Sequence, residues 1–276
     1  MHQHKTANMH LASGVNFSIS VVSHGHADFI ESLLKDILRL QREDLEVIIT
    51  WNLTSESISF AEKFPGLQIR EIRNRLPAGF GQNHNKAFAS SIGKNFVVLN
   101  PDISLERDPF EPILELLQQC DHCICAPTIL GPDSKIEDSA RHFPSPLSLT
   151  AKLAAKILRR DMHVEKIPDL GSLLAPDWVA GMFMAMPRQV FQRLGGFNEK
   201  YHLYYEDVDL CARARLSGID IYVLKEAVAI HHAQRSSHRE FRFLKWHLQS
   251  ALRFFLSKAY FLHTLTKAKN RLLRNR

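Results

Sequence analysis

Four strand-length runs, each followed by a polar turn and, after the first three, by a segment of helical character, constrain this chain most. Phe17 to Val22, Leu45 to Thr50, Leu67 to Ile72 and Asn95 to Leu99 are too short for ordinary helices and carry the β-branched residues that suit strands. Between them, Phe29, Leu33, Leu34, Ile37 and Leu38 mark an amphipathic helix, Ser55 to Phe64 a second and Gly81 to Ile92 a third. Such alternation predicts an α/β fold, a mainly parallel sheet flanked by helices, with ligands at the carboxyl ends of the strands. Three polar loops fall on that rim: Ser23 to Asp28, Trp51 to Ser55 and Asn100 to Ser104.

The second half is less regular. A helix is expected over Pro109 to Gln119, a strand over Cys123 to Ile129, a loop-rich section over Gly131 to Ser148 and a helix over Leu149 to Arg159. Asp177 to Met186 is an apolar run led by an acid and a tryptophan, and a helix over Arg188 to Leu194 follows Pro187. Glu206 to Ser217 reads as a helix, Ile219 to Val223 and Ala227 to Ile230 as two strands. From Phe241 onward, Leu244, Leu248, Ala251, Leu252, Phe255, Ala259 and Leu262 recur at helical spacing.

Cys120-Asp121-His122-Cys123 has the spacing of half a zinc site, yet no second pair follows, so Cys120, Cys123, Cys125 and Cys211 read as structural thiols. Met1 to Val15 reads as a flexible, polar leader without the apolar centre of a signal peptide, and no run reaches membrane-spanning length. Charge is unevenly spread: residues 235–276 hold eleven Lys or Arg and one acid, Glu240, a net +10 where the whole chain carries +6. A basic segment on a slightly acidic body suggests an anionic partner surface.

Two places suggest chemistry. Asn100-Pro101-Asp102 ends a strand in a stiff turn that holds a carboxylate over the rim, and His231 ends another apolar strand. Helix capping is the simpler reading of Asp102; the alternative is an oxygen-binding divalent cation with positions left open for phosphates. In Tyr204-Tyr205-Glu206-Asp207-Val208-Asp209-Leu210-Cys211, three carboxylates in four positions crowd beside residues that want burial. A helix N-terminus, where acids suit the dipole, and a catalytic cluster both account for it.

Over roughly Phe17 to Phe255 the chain resembles family 2 glycosyltransferases with the GT-A fold, in the rhamnosyltransferase-like branch. The resemblance rests on Leu99-Asn100-Pro101-Asp102, on Gly79-Phe80-Gly81-Gln82-Asn83-His84-Asn85-Lys86-Ala87, and on His231-His232 with Ser236. Its longest block runs from Trp178-Val179-Ala180-Gly181 through Gly195-Gly196-Phe197-Asn198-Glu199 to Tyr205 and Arg213. The resemblance implies a GT-A domain over residues 16–235, with a nucleotide-sugar half (16–130) and an acceptor half (175–235), and a basic helical extension over 236–276. It implies an inverting enzyme that moves a sugar, such as the deoxyhexose rhamnose, from a nucleoside-diphosphate donor to a glycan or lipid-linked acceptor in cell-surface polysaccharide synthesis. Asp102 and His231 would hold Mg²⁺ or Mn²⁺; Ser23, His24, Asn52, Gly79, Asn83, Asn85, Asn100 and Asp102 would line the donor side. Asp207 would be the general base, Glu206 and Asp209 would orient it or bind acceptor, and Trp178 and Gly181 would wall the acceptor pocket, with core packing the other reading of Trp178. Two departures stand out: Ser23-His24-Gly25 replaces the family's threonine-tyrosine-asparagine turn, and Trp51 stands where an aspartate contacts the nucleotide base. Arg141 and His142 read as a solvated loop pair, with phosphate contact the alternative.

These departures keep a second reading open, a catalytically silent nucleotide-binding or scaffold protein on the same fold. The basic tail reads either as a membrane-surface element or as a packed helix with its cations in water. A cytoplasmic protein is expected, with a peripheral position on the inner face of the cell membrane left open. Self-association is left open, and no nucleic-acid partner is expected because no recognised module accompanies the charge.

Overall fold

Ser18 and Ser20 explain why the first strand can be buried on both faces without being wholly apolar. In the computed structural model, which describes residues 14–56, 58–148, 150, 167–232 and 241–274, β1 (Phe17–Ser23) points Phe17, Ile19 and Val21 to one core. On its other face Ser18 Oγ bonds buried Glu46, and Ser20 Oγ lies 2.8 Å from His84 Nδ1. The leader up to residue 13, the helix expected over Leu149 to Arg159 apart from Thr150, and Ser236 lie outside the described residues.

β2 (Leu45–Trp51), β3 (Gln68–Arg73) and β4 (Asn95–Leu99) complete a parallel half-sheet in the order β3-β2-β1-β4. Then the direction changes. β10 (Phe183–Pro187) lies antiparallel between β4 and β6 (Cys123–Leu130), and the long β11 (Asp220–His231) runs parallel to β6. β5 (Ile103–Ser104) closes that edge, β8 (Leu173–Leu174) pairs with β11, and β7 (Ala140–Arg141) and β9 (Trp178–Val179) form a separate ribbon. One apolar core lies under α1 (Ala27–Arg39) and α4 (Phe110–Gln119). The other lies under α3 (Phe80–Ser90), α5 (Arg188–Arg193) and α6 (Glu206–Leu216).

Several expectations need correcting. The helix expected over Ser55 to Phe64 shrinks to α2 (Phe60–Lys63), because Arg73 takes the carbonyls of Glu56 and Ile58 at 2.7 and 2.6 Å. Glu71 Oε1 accepts from the Phe60 and Ala61 amides instead, which starts the helix late. The two strands expected over 219–230 are one strand, β11, with an irregularity between Leu224 and Val228. In α1 the inward stripe is Ile30, Leu33, Leu34 and Ile37, while Leu38 is exposed.

The C-terminal stripe is two helices, α7 (Phe241–Phe255) and α8 (Lys258–Arg274). Its buried face is Ser250, Ala251, Phe254 and Ala259, so this extension is part of the second core rather than an appendage. Leu244, Leu248, Leu252 and Leu262 face outward. Among the described residues no helix is long and apolar enough to cross a membrane. All four cysteines are free; Cys123, Cys125 and Cys211 are buried, and burial pushes the Cys211 thiol up to about 12.

Candidate active site

The change of strand direction brings the two chemical segments together. Asn100 N donates to Met182 O at 2.8 Å, which ties the turn after β4 to the start of β10. One residue earlier, Gly181 N donates to Asp207 Oδ2 at 3.0 Å. Consecutive residues are ~3.8 Å apart, so the Asp102 turn and the Asp207 carboxylate flank the same short backbone segment.

On the Asp102 side, β11 delivers His231, whose Nε2 lies 3.5 Å from Asp102 Oδ2. His231 Nδ1 lies 2.7 Å from Glu137 Oε2, a residue that nothing in the sequence singled out. Burial disfavours the charged imidazole, but the hydrogen bonds to Asp102 and Glu137 outweigh it and raise its pKa. Asp102 Oδ1 is buried and has no hydrogen-bond partner, which is the kind of orphan oxygen a cation would satisfy. Among the described residues no group of three or more His, Cys, Asp or Glu could hold a metal by itself. Two protein ligands with the remaining positions left to phosphate oxygens and water therefore fit this donor set.

On the Asp207 side, the chain makes an uncommon turn. Tyr204 and Tyr205 both have left-handed backbones, φ 69° and 67°, which non-glycine residues adopt only under local constraint. The turn aims the first residues of α6 back at Gly181. Asp207 Oδ1 also accepts from Val208 N at 2.8 Å. Burial raises the Asp207 pKa, against those amide hydrogen bonds and the charge of Arg141. Glu206 is buried, its Oε2 lacks a partner, and burial followed by repulsion from Asp207 pushes its pKa well up.

Gly181 permits the approach: a Cβ there would sit 3.2 Å from the Phe80 ring. Gly79 does the same at the head of α3, where a Cβ would meet His202 O at 2.8 Å while Phe80 N donates to that oxygen. Trp178 is buried, donates from Nε1 to His142 O at 3.1 Å and carries the Arg141 guanidinium over its ring at 5.4 Å.

Other expected residues sit at a distance in role. Asp209 is buried against Arg213 at 2.7 Å, and Arg213 also donates to the carbonyls of Leu194 and Gly196. Asn85 likewise clamps that turn, accepting from Phe197 N at 2.8 Å and donating to Phe197 O at 2.9 Å. Both hold the Gly195-Gly196 turn in place.

On the far rim, Ser23 Oγ accepts from His26 N and donates to Glu56. Asn52 bonds Ala78 through both amide atoms, accepts from Asn74 at 2.9 Å and lies 3.2 Å from His24 Nδ1. Asn74 also donates to Asn83 at 2.6 Å and accepts from Lys86 at 2.8 Å. Beside this amide cluster opens a cavity of about 370 Å³ lined by Arg73, Arg75 and Lys86 with no acid. Trp51 is no stacking platform: its ring is buried against Phe60 at 5.5 Å.

The mixed, mainly parallel sheet thus gathers Asp102, His231, Glu206 and Asp207 around the turn after β4. Residues 15–244 match the model of the family described as Glycosyltransferase like family 2, and the chain belongs to that family. The rhamnosyltransferase WbbL of Escherichia coli is 29% identical over 251 residues, covering 87% of this chain and 92% of the relative. The N-acetylglucosaminyl-diphospho-decaprenol L-rhamnosyltransferase of Mycobacterium tuberculosis is 27% identical over 184 residues, 60% of this chain and 56% of that one.

Among solved structures, S. aureus TarS 1-349 in complex with UDP-GlcNAc aligns with TM-score 0.62 at 13% identity, over 88% of this chain and 68% of that one. The Pyrobaculum calidifontis mannosyltransferase in complex with GDP-Man and Mn²⁺ aligns with TM-score 0.58 at 16% identity, over 88% and 66%. GalNAc-T7 with UDP, GalNAc and Mn²⁺ aligns with TM-score 0.61 at 12% identity over 80% of this chain, which spans only 44% of that larger protein. At these identities the likeness is one of fold.

Proposed function

We propose that this glycosyltransferase moves a deoxyhexose such as rhamnose from a nucleoside-diphosphate donor to a hydroxyl of a glycan or lipid-linked acceptor, with inversion, in cell-surface polysaccharide synthesis. The observation that carries the reading is the Asp207 carboxylate fixed by Gly181 N at 3.0 Å, one residue from the segment that anchors the Asp102 turn. Asp207 takes the acceptor hydroxyl proton as that oxygen attacks the anomeric carbon. The bond from that carbon to the diphosphate oxygen breaks, and the nucleoside diphosphate leaves with the electron pair. A single displacement of this kind inverts the anomeric centre. The raised pKa of the acid pair makes Asp207 a stronger base than an ordinary carboxylate.

Asp102 and His231 would hold Mg²⁺ or Mn²⁺, which when bound neutralises charge developing on the leaving diphosphate. Arg73, Arg75 and Lys86 supply cations to the cavity on the donor side. Glu206 orients Asp207 or meets the acceptor, Asp209 braces the turn behind it, and Trp178 walls the acceptor side. Action at the cytoplasmic face of a membrane fits a lipid-linked acceptor. The test is acceptor-dependent release of nucleoside diphosphate across a panel of nucleotide sugars with each metal.

One observation favours the silent reading: Ser23 and Asn52 are already satisfied within the protein. Binding of a nucleoside diphosphate without turnover of any donor would support it.

A further inference from the structure

Helix α7 has two apolar faces, and the fold covers only one. Its inner face packs Ala251 and Phe254 into the second core, Ser250 Oγ donates to Leu203 O at 2.9 Å, and the Phe254 ring lies 5.6 Å from that of Tyr205. Its outer face repeats leucine every fourth residue: Leu244, Leu248 and Leu252 are 55%, 60% and 61% exposed, and Leu256 just beyond the helix is 78% exposed. Residues four apart share one side of a helix, so these form a column in water, where polar side chains are the norm. Phe261 and Leu265 of α8 are exposed too.

The charge on this element narrows the occupant. Residues 241–274 contain eight Lys or Arg and no acid. A second copy of the chain would bring eight more positive charges against it, which opposes self-pairing. A nucleic acid would use the cations and leave the leucines in water. An apolar column on a segment with eight cations and no acid is what the headgroup boundary of an anionic bilayer accepts, the leucines entering by ~5–10 Å and the positive charge favouring lipid phosphates.

We propose that the Leu244, Leu248, Leu252 and Leu256 column of α7 docks this protein on an anionic lipid surface. Because the inner face of the same helix packs on Tyr205, the residue before Glu206, docking sets the acid pair beside the bilayer; that consequence, though not the docking itself, rests on the transferase reading. A lipid-linked acceptor would then meet Asp207 without leaving the membrane.

Co-sedimentation of the full chain with phosphatidylcholine vesicles, with and without phosphatidylglycerol, tests this. Binding is expected to the anionic vesicles alone and to weaken with salt. Leu248→Ser with Leu252→Ser should weaken it by about a hundredfold, since burying each leucine is worth on the order of a decade in affinity. Its melting temperature and its turnover of a water-soluble acceptor should be unchanged, so a failure of docking and a failure of the transferase reading remain distinguishable. Vesicle binding undiminished in the double variant, no binding by the native chain, or a native dimer that the double variant converts to monomer would each overturn the proposal.

Discussion

The main-chain N–H of Gly181 donates to the carboxylate of Asp207 at 3.0 Å, so a backbone group at the head of one strand fixes an acid at the head of a helix 26 residues later. The Gly181→Ala variant tests this contact. Its Cβ would press on the Phe80 ring at 3.2 Å and face Asp207 Cβ at 3.7 Å, which displaces the carboxylate by a few tenths of an ångström. The expected loss is about tenfold in kcat with little change in melting temperature, and partial rescue by Phe80→Leu. Steady-state kinetics and a thermal melt check both.

Glu206 should cost stability at neutral pH without moving the titration of Asp207. Burial and then repulsion from Asp207 raise its folded pKa above its unfolded value, so its contribution is fully present below the unfolded pKa and is lost as pH rises through the folded one. Glu206→Gln should therefore stabilise at neutral pH by about 1 kcal/mol, roughly 2–4 °C, and lose that advantage in acid. Asp207 already carries its charge when Glu206 titrates, and burial rather than Glu206 raises the Asp207 pKa, so a neutral glutamine should leave the acid limb of kcat/KM in place. Melting curves and rate profiles across pH read these two effects separately.

Glu137 holds Nδ1 of His231 at 2.7 Å and so presents Nε2 toward Asp102. Removing such an orienting carboxylate typically weakens a metal site ~10–100-fold, and Glu137→Ala is expected to do so, with Glu137→Gln milder. Mn²⁺ titration followed by electron paramagnetic resonance, with nucleoside diphosphate present, measures this without turnover. Asp102→Ala should abolish the site.

Arg213 pairs with the buried Asp209 and holds two carbonyls of the Leu194 to Gly196 turn. Arg213→Ala strands a buried carboxylate, so a loss of roughly 3–5 kcal/mol is expected. Chemical denaturation checks it; an unchanged midpoint would show that solvent reaches Asp209.

The strands and motif positions were legible because both-face burial leaves apolar runs and stiff turns leave Pro and Gly. Less could be read where a distant side chain decides. Arg73 captures the carbonyls that α2 would need, and no local pattern announces it. Phe183 to Met186 looks like any buried strand, so its antiparallel insertion between β4 and β6 had no signature. Helical spacing placed Leu244, Leu248 and Leu252 on one face but could not say which face the fold covers. Glu137 is a lone acid in a loop, near His231 only because of the tertiary fold.

The central claim, that Asp207 is the base of a sugar transfer, is tested most directly by comparing native protein with Asp207→Asn. On the nucleotide-sugar donor that supports turnover, the variant is expected to bind donor as tightly as the native chain while kcat falls by about a thousandfold, in the ~10²–10⁴ range of general-base catalysis. Undiminished kcat in Asp207→Asn would contradict the account.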